Sequence, residues 1–372
     1  MLIGDRAKYL LLISALSFAA LLITHQGSIF LGLLRWSTAT IRNTHVPLWI
    51  VNPLVEQPQE ILPLLDTDLT LARSVEGVKW AVPVFYSIQQ TRLQSGAFRP
   101  VELFGLDSAT LIGAPAKMLE GNIEDIWQDG AVIMDEAGIE QFSRGREKPI
   151  AIGDYLDIND HEVQLVGICH SERSFFGYPH VYTTYDRAVQ LTPARRKNLS
   201  FVLAAPEEGV DIQTLARRIE TETGLKTFTE EEFFWSSIWW VVKNTGIPMS
   251  FGITIIMGFL VGVAVAGQTF YSFVLENLKH LGALKAMGAS NSLLCRMLLL
   301  QAFLVGIVGY GIGVGLTSTF GHMAIQKAAI PFYMPYHVLV ITFVAILLIC
   351  FFASLLGIHK VRRYDAAEVF RG

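Results

Sequence analysis

Four long apolar runs frame this 372-residue chain: residues 9–34, 247–275, 297–320 and 337–358 contain no Asp, Glu, Lys or Arg. Each is long enough for the roughly 20 residues that cross a hydrocarbon core as an α-helix. The first run is interrupted only by His25 and Gln26. It is longer than the roughly 7–15 residues of a cleaved leader's apolar region, and no small-x-small site follows it, so an uncleaved helix is expected.

Between the first two runs the pattern changes to short β-like and helical periods. Leu48–Val51, a helix near residues 64–75 and a long strand from Val78 to Leu93 read as one βαβ unit. Ser200–Ala204, a helix over Ile212–Thr223 and a strand near Lys226–Phe228 read as a second. In that helix Asp211 is placed to cap, Ile212, Leu215, Ala216 and Ile219 share one face, and Gly224 can close the end. The two units can pair as halves of one ferredoxin-like sheet. The stretch between them reads mostly as strand, in Ala131–Met134, Tyr155–Ile158 and Val163–Ile168, with Gly153–Asp154 and Asn159–Asp160 as turns. Thr229 and Glu232 have the spacing of a capping box, so a helix should start there. It carries Trp235, Trp239 and Trp240 before the Asn244–Thr245–Gly246 break. Tryptophans beside a bilayer segment suit the interface. Such a stalk can relay force or simply anchor the domain.

Composition agrees with a mixed chain: 52% hydrophobic against 17% charged residues, with a mean hydropathy of +0.42. Short-flank basic residues orient it. Arg6 and Lys8 precede the first run; Lys279, Lys285 and Arg296 lie between the second and third; Lys360, Arg362, Arg363 and Arg371 follow the fourth. Only Lys327 lies between the third and fourth. Both termini are therefore expected in the cytoplasm. The fold class is an α-helical membrane protein with four transmembrane helices and an α+β extracytoplasmic domain. The expected plan is residues 1–35 for the N-terminus and first membrane helix, and 36–98 for the first part of the outer domain. Residues 99–195 form an inserted β-rich subdomain, and 196–243 the second outer part with the stalk helix. Then come 244–275 (second membrane helix), 276–296 (cytoplasmic connector), 297–320 (third helix), 321–336 (external loop), 337–358 (fourth helix) and 359–372 (cytoplasmic tail).

The outer stretch 36–243 holds 29 acidic against 18 basic side chains, which gives no reason to expect a nucleic-acid partner. Cys169 is its only cysteine, so it has no internal disulfide. Cys169, His170, Ser171 and Glu172 are adjacent, with His161 and His180 nearby, but they lack a metal or catalytic spacing, and surface or turn positions are expected. Phe175, Phe176 and Tyr178 surround Gly177 and precede Pro179; they read either as an exposed docking tip or as loop packing. Gly258 and Gly262, then Gly309 with Gly313 and Gly311 with Gly315, form small-xxx-small pairs for backbone-close packing, within the subunit or across a dimer seam.

The connector has the most specific pattern. Leu278, Leu281, Leu284 and Met287 step by three along an apolar arc, and Lys285 projects onto it. A helix of this kind can lie on lipid or dock in a protein groove. Gly282 and Gly288 remove side chains where a second backbone can approach.

The stretch Leu275–Ser290 resembles the coupling-helix signature of MacB/FtsX-type ABC transporter permeases, E-R-x-x-E-I-G-x-L-R-A-L-G-A-S. Glu276, Leu281, Gly282, Leu284, Lys285, Ala286, Met287, Gly288, Ala289 and Ser290 match in place or by type, while His280 stands where a second glutamate is usual. The ending from Arg363 to Arg371 resembles that family's R-x-D-P-x-E-A-L-R, with Ala366 in place of proline. The layout of one helix, a large outer domain and three helices is similar too. The resemblance implies a split porter-like outer unit with a β-rich insertion, and an ATPase contact made by Glu276, Leu278, Leu281, Gly282, Leu284, Lys285, Met287, Gly288 and Ala289. It also implies a second permease copy, membrane lipid around the helices and, in the macrolide-exporter and DevC-like branches, a periplasmic adaptor and an outer-membrane channel. Phe175, Phe176 and Tyr178 are then candidate adaptor contacts.

Only about eight residues precede the first helix, and no Gly-Lys dipeptide occurs, so a Walker A loop is excluded. ATP and Mg are expected on a partner ATPase, with no cofactor, metal site or catalysis in this chain. The expected function is an inner-membrane exporter permease working by mechanotransmission. The alternatives are LolC/LolE-like lipoprotein release and an FtsX-like regulator of a periplasmic hydrolase.

Overall fold

The protein was described from a computed structural model, which describes residues 6–93, 96–144, 146, 148–193, 199–326 and 330–363. Arg195, Arg196 and Lys197, whose sequence reads as a solvated basic turn, Lys327 and most of the tail motif ending at Arg371 lie outside the described residues. The chain divides into a β-rich domain, Leu34–Thr245, and a helical unit made of residues 1–33 and 246–372.

Helix α1 (Arg6–Ser37) carries the chain into the β-rich domain, where the short α2 (Ala39–Thr44) follows. Two βαβ units then interleave: β1 (Leu48–Val51), α3 (Asp66–Ser74) and β2 (Val78–Arg92), with β9 (Phe201–Pro206), α6 (Ile212–Thr223) and β10 (Lys226–Thr229). Their strands lie antiparallel in the order β10-β1-β9-β2. This is the split-βαβ arrangement expected from the sequence. Helices α3 and α6 bury Ala72, Leu215, Ala216 and Ile219 against Leu48, Ile50, Val202 and Ala204. Asp211 caps α6 by accepting from the Thr214 amide at 2.8 Å, and Gly224 closes it at φ +71°.

Strand β2 is 15 residues long because it serves two sheets. Val78–Val84 pair with β9 and Phe85–Arg92 with β3 (Phe98–Leu106). Beyond β3 the insertion adds β4 (Lys117–Glu120), β5 (Ala131–Asp135), α4 (Glu136–Ser143), β6 (Tyr155–Ile158), β7 (His161–His170), β8 (His180–Thr184) and α5 (Tyr185–Gln190). Hydrogen bonding runs β2-β3-β8-β5-β7, and β6 joins β7 back to β2, so six strands close on themselves while β4 flanks β7. Side chains alternate between two apolar clusters. Val101, Leu103, Val132, Met134, Leu165 and Val181 face one way. Phe104, Ile133, Val166 and Tyr182 face the other, continuous with Trp49, Phe201, Phe228 and Phe233 of the first lobe. Strands buried on both sides read as unbroken apolar runs. That is why β5 and β7 are visible in the sequence.

The helical unit holds α8 (Ile247–Glu276), α9 (Leu278–Ala286), α10 (Asn291–Gln326) and α11 (Tyr336–Arg363). With α1, three of these are long and apolar enough to cross a membrane, giving four candidate spans: Ala7–Ser37, Ile247–Glu276, Asn291–Ile325 and Tyr336–His359. Leu16, Ala19, Ala20 and Ile23 of α1 pack with Phe270, Leu298, Ile346 and Ile349 of the others. The glycine pairs divide by face. A Cβ on Gly313 would meet the Ser17 carbonyl oxygen at 2.5 Å and Ala20 Cβ at 2.6 Å, and one on Gly309 would meet Leu16 Cβ at 2.7 Å. Gly262 likewise faces Ala19 and Ile349. These pairs let backbones close within one subunit. Gly311 and Gly315 have open space where a Cβ would stand.

Candidate functional site

The connector between the second and third spans is built from local hydrogen bonds. Asn277 ends α8, its side-chain amide donating to the Phe273 carbonyl at 2.9 Å, and Leu278 starts α9. At the other end the Gly288 amide donates to the Lys285 carbonyl at 3.1 Å and the Ala289 amide to the Leu284 carbonyl at 3.0 Å. That pair of bonds is a Schellman closure, and it needs Gly288 at φ +101°. Two residues later Ser290 caps α10, its hydroxyl accepting from the Leu293 amide at 3.2 Å. The Gly-Ala-Ser ending is therefore a helix stop, a spacer and a helix start.

The turn sets which face of α9 points inward. Leu281 and Gly282 are buried, and Leu278, Leu284 and Ala289 pack on the bundle core. Lys285 is half-buried on the same side. Glu276 pairs with Lys8. Of the residues expected at a partner contact, Met287 (75% exposed) and Gly288 face outward. The rest of the outward face is Lys279, His280, Ala283 and Ala286, which the apolar arc did not single out. The complementary i, i+4, i+7 spacing of 279, 283 and 286 carried that signal.

In the β-rich domain, α7 (Glu230–Asn244) begins at the expected capping box: the Thr229 hydroxyl accepts from the Glu232 amide at 3.2 Å, and the Glu232 carboxylate accepts from the Thr229 amide at 2.9 Å. Phe233, Ser237 and Val241 are buried at four-residue spacing. Phe233 stacks on Phe228 with centroids 4.8 Å apart and tilts against Trp49 at 5.4 Å. Trp235 and Trp239 are half-exposed, and Trp240 is half-buried. Lys243 Nζ lies 5.8 Å from the Trp239 ring centre.

The aromatic segment Phe175–Tyr178 is neither a free tip nor core. It belongs to a loop, residues 171–179, fastened at both ends. Glu172 accepts from Arg35 Nε at 3.0 Å and Nη2 at 2.6 Å, and pairs with Arg42 Nη2 at 2.6 Å. Its backbone amide donates to Asn43 Oδ1 at 2.9 Å, and its carbonyl accepts from Asn43 Nδ2 at 2.8 Å. Burial raises the Glu172 carboxyl, but the Arg35 hydrogen bond and the Arg42 and Arg35 charges outweigh it and hold the group below its ordinary range. Ser174 donates to Glu102, and the Glu102 amide donates to the Pro179 carbonyl at 2.8 Å.

Behind the loop runs a buried polar row. Ser171 Oγ meets His180 Nδ1 at 2.8 Å and Tyr182 OH at 3.0 Å. His180 Nε2 lies 3.3 Å from Glu102 Oε2, an ion-pair distance not aligned as a hydrogen bond. Burial lowers His180, yet the Glu102 interaction and the Asp135 charge raise it overall. Ser171, His180 and Glu102 thus stand in the order of a nucleophile, a base and an acid. His180 and Glu102 are fully buried and Ser171 nearly so, so the row is closed to solvent and fastens the loop to β3 and β8. Sequence spacing could not show it, because Glu102 joins from another strand. No cluster of metal-ligating residues occurs among the described residues.

A four-span helical unit with a hydrogen-bonded connector, bearing a split βαβ domain between its first two helices, defines a multi-pass membrane subunit. The chain belongs to the MacB/FtsX-type family of ABC transporter permeases: the MacB-like periplasmic core domain family matches residues 10–222, and the FtsX-like permease C-terminal family matches residues 252–366. It is similar to an uncharacterized ABC transporter permease of Mycobacterium tuberculosis H37Rv, 22% identical over 224 residues that cover 59% of this chain and 58% of that one. A putative hemin transport system permease protein of Staphylococcus haemolyticus is 27% identical over 124 residues, 33% of this chain and 35% of that protein. The chain thus spans about three-fifths or less of these curated relatives. Among solved structures, the periplasmic region of MacB from Actinobacillus actinomycetemcomitans matches 55% of this chain and 96% of its own at 14% identity, with a TM-score of 0.38. The extracellular domain of the noncanonic ABC-type transporter YknZ matches 50% and 98% at 16% identity, with a TM-score of 0.36. The family is one of permease-type membrane subunits of ABC transporters.

Proposed function

We propose that this chain is the permease of an inner-membrane ABC exporter that turns ATP hydrolysis on a separate ATPase subunit into movement of its extracytoplasmic domain. Both termini and α9 lie in the cytoplasm, as the basic flanks indicate. The ATPase, which binds ATP and Mg, docks on the outward face of α9 at Lys279, His280, Ala283, Met287 and Gly288. The observation that carries this reading is the connector: a short helix bound into the bundle by Leu278, Leu281 and Leu284 and closed at both ends by its own hydrogen bonds. A push on such a helix moves the spans on either side of it. The Staphylococcus relative's name, a hemin transport permease, supports transport as the class of activity. A second copy pairs through the open Gly311/Gly315 face, and a periplasmic adaptor with an outer-membrane channel completes the efflux route.

Co-purification tests it. The full chain captures its ATPase from detergent extracts, and Ala283→Trp, on the outward face, abolishes capture while the purified protein stays folded. Undiminished capture would remove α9 from the mechanism. Cysteines placed singly at Gly121 and Ser290 should react with an impermeant reagent from opposite sides of the membrane; equal labelling would overturn the topology.

A further inference from the structure

Glu102 (β3), His180 (β8), Asp135 (β5) and Cys169 (β7) fall on one rung of four neighbouring strands. Glu102 pairs with His180 and Asp135 with Cys169 in register. Strands β5 and β8 pair Ile133 with Tyr182 and Met134 with Val181, and this register carried one residue further brings Asp135 abreast of His180. All four side chains are buried. Two carboxylates therefore flank one imidazole, each about 4.8 Å away in strand spacing. Among the described residues, Glu102 Oε2, Asp135 Oδ2 and His180 Nε2 have no aligned hydrogen-bond partner. The rung is balanced by charge.

Other titratable groups face this rung. Arg173, from the loop, adds a positive charge near His180. Tyr86 of β2 stands beside Glu102, and Tyr182 shares Ser171 with His180. Burial pushes both tyrosines and the Cys169 thiol up, so they stay neutral.

The same rung seats the loop 171–179. Ser171 Oγ meets His180 Nδ1, Ser174 donates to Glu102, and the Glu102 amide donates to the Pro179 carbonyl. The tie of Glu172 to Arg35, Arg42 and Asn43 does not pass through His180. Between the two ties the loop carries Phe176, 46% exposed and stacked on Tyr178 with centroids 5.6 Å apart.

We infer that His180 is a pH-sensitive latch. Its imidazolium, between Glu102 and Asp135, keeps Ser174–Pro179 seated, and loss of its proton releases that stretch with the Phe176–Tyr178 pair. Glu172 keeps the start of the loop in place. A neutral imidazole leaves two buried carboxylates facing Arg173 alone, and a buried charge without compensation is costly. Burial lowers His180, but Glu102 and Asp135 hold it above the usual histidine range, so the seated loop binds the proton more tightly than the released one. The seating energy is fully present below about pH 6.5 and is lost as pH rises through the seated value. Asp135, raised by burial, acts in the same direction.

Hydrogen exchange of the full chain in nanodiscs, from about pH 6 to about pH 9, tests the latch as protection relative to the intrinsic rate at each pH. The Gly177 amide bonds to the Ser174 carbonyl at 2.9 Å and the Glu102 amide to the Pro179 carbonyl at 2.8 Å. Protection of both should fall by about tenfold per pH unit across the step. The Glu172 amide, bonded to Asn43 Oδ1 at 2.9 Å, and the amides of α6 should hold constant. His180→Gln, which cannot carry the charge, should give low protection at Gly177 with no step. Where that variant fails to fold, Glu102→Gln should move the step to lower pH. Flat protection at Gly177 and Glu102 in the parent overturns the latch. So does a step that persists in His180→Gln, a step unmoved in Glu102→Gln, or an equal loss in α6, which would mean that the whole domain loosens.

Discussion

The Schellman turn at Gly288 gives the connector a property that separates backbone strain from bulk. Gly288 holds φ +101° and has open space where a Cβ would stand. Alanine there meets no neighbour, but the backbone disfavours it by about 1–3 kcal/mol. Asparagine is larger yet tolerates positive φ better. If the ATPase needs this turn, Gly288→Ala relieves its strain by unwinding the junction, and docking must rebuild it. The affinity of purified, nanodisc-held permease for its ATPase should fall about 5- to 150-fold for that cost, and Gly288→Asn should fall less than Gly288→Ala. Crowding of the interface predicts the opposite order, because asparagine is the bulkier residue. Hydrogen exchange at the Ala289 amide, which bonds to Leu284, should quicken in the alanine variant. Affinity weaker for Asn than for Ala, or unchanged for both, would refute the turn as the reason for this glycine.

Gly313→Leu should lower the folded fraction in detergent sharply, because its Cβ alone would stand 2.5 Å from the Ser17 carbonyl oxygen, while Gly315→Leu should fold normally; size-exclusion profiles report both. Phe233→Ala removes a fully buried ring stacked on Phe228 and should destabilise the β-rich domain by about 3–5 kcal/mol in denaturant unfolding. Glu172 has a depressed carboxyl pKa, so its contribution to stability is present above its unfolded pKa of about 4.3 and is lost as pH falls through the lower folded value. The unfolding temperature should therefore drop more steeply below about pH 4 in the parent than in Glu172→Gln.

The sequence showed those features whose chemistry is local. Thr229 with Glu232, and Asp211 with Gly224, lie within one helix and its caps, so their spacing alone was enough. The strand ring was only half visible. β5 and β7 read as apolar runs, but β3 and β8 join in parallel across more than seventy residues, and no local pattern records such a pairing. Helices α4 and α5 are only eight and six residues long and passed unnoticed inside a stretch read as strand. Gly309–Gly313 and Gly311–Gly315 have the same spacing, and only the packing of α1 separates them. On α9 the three-residue step holds for Leu278, Leu281 and Leu284, which seat the helix in its own bundle, but fails at Met287, which faces outward with Lys279, His280, Ala283 and Ala286.

Strand β2 has a mechanical consequence. Its first seven residues are bonded into one lobe and its last eight into the other, without a break in the chain between Val84 and Phe85. A hinge needs a few residues free to change φ and ψ, and here every residue of the junction is committed to a ladder on at least one side. The lobes therefore share a single beam, and relative motion between them is torsion of that beam, spread over many hydrogen bonds with no single pivot. Torsion stores energy and returns it, so one lobe turned against the other recoils once the force is withdrawn.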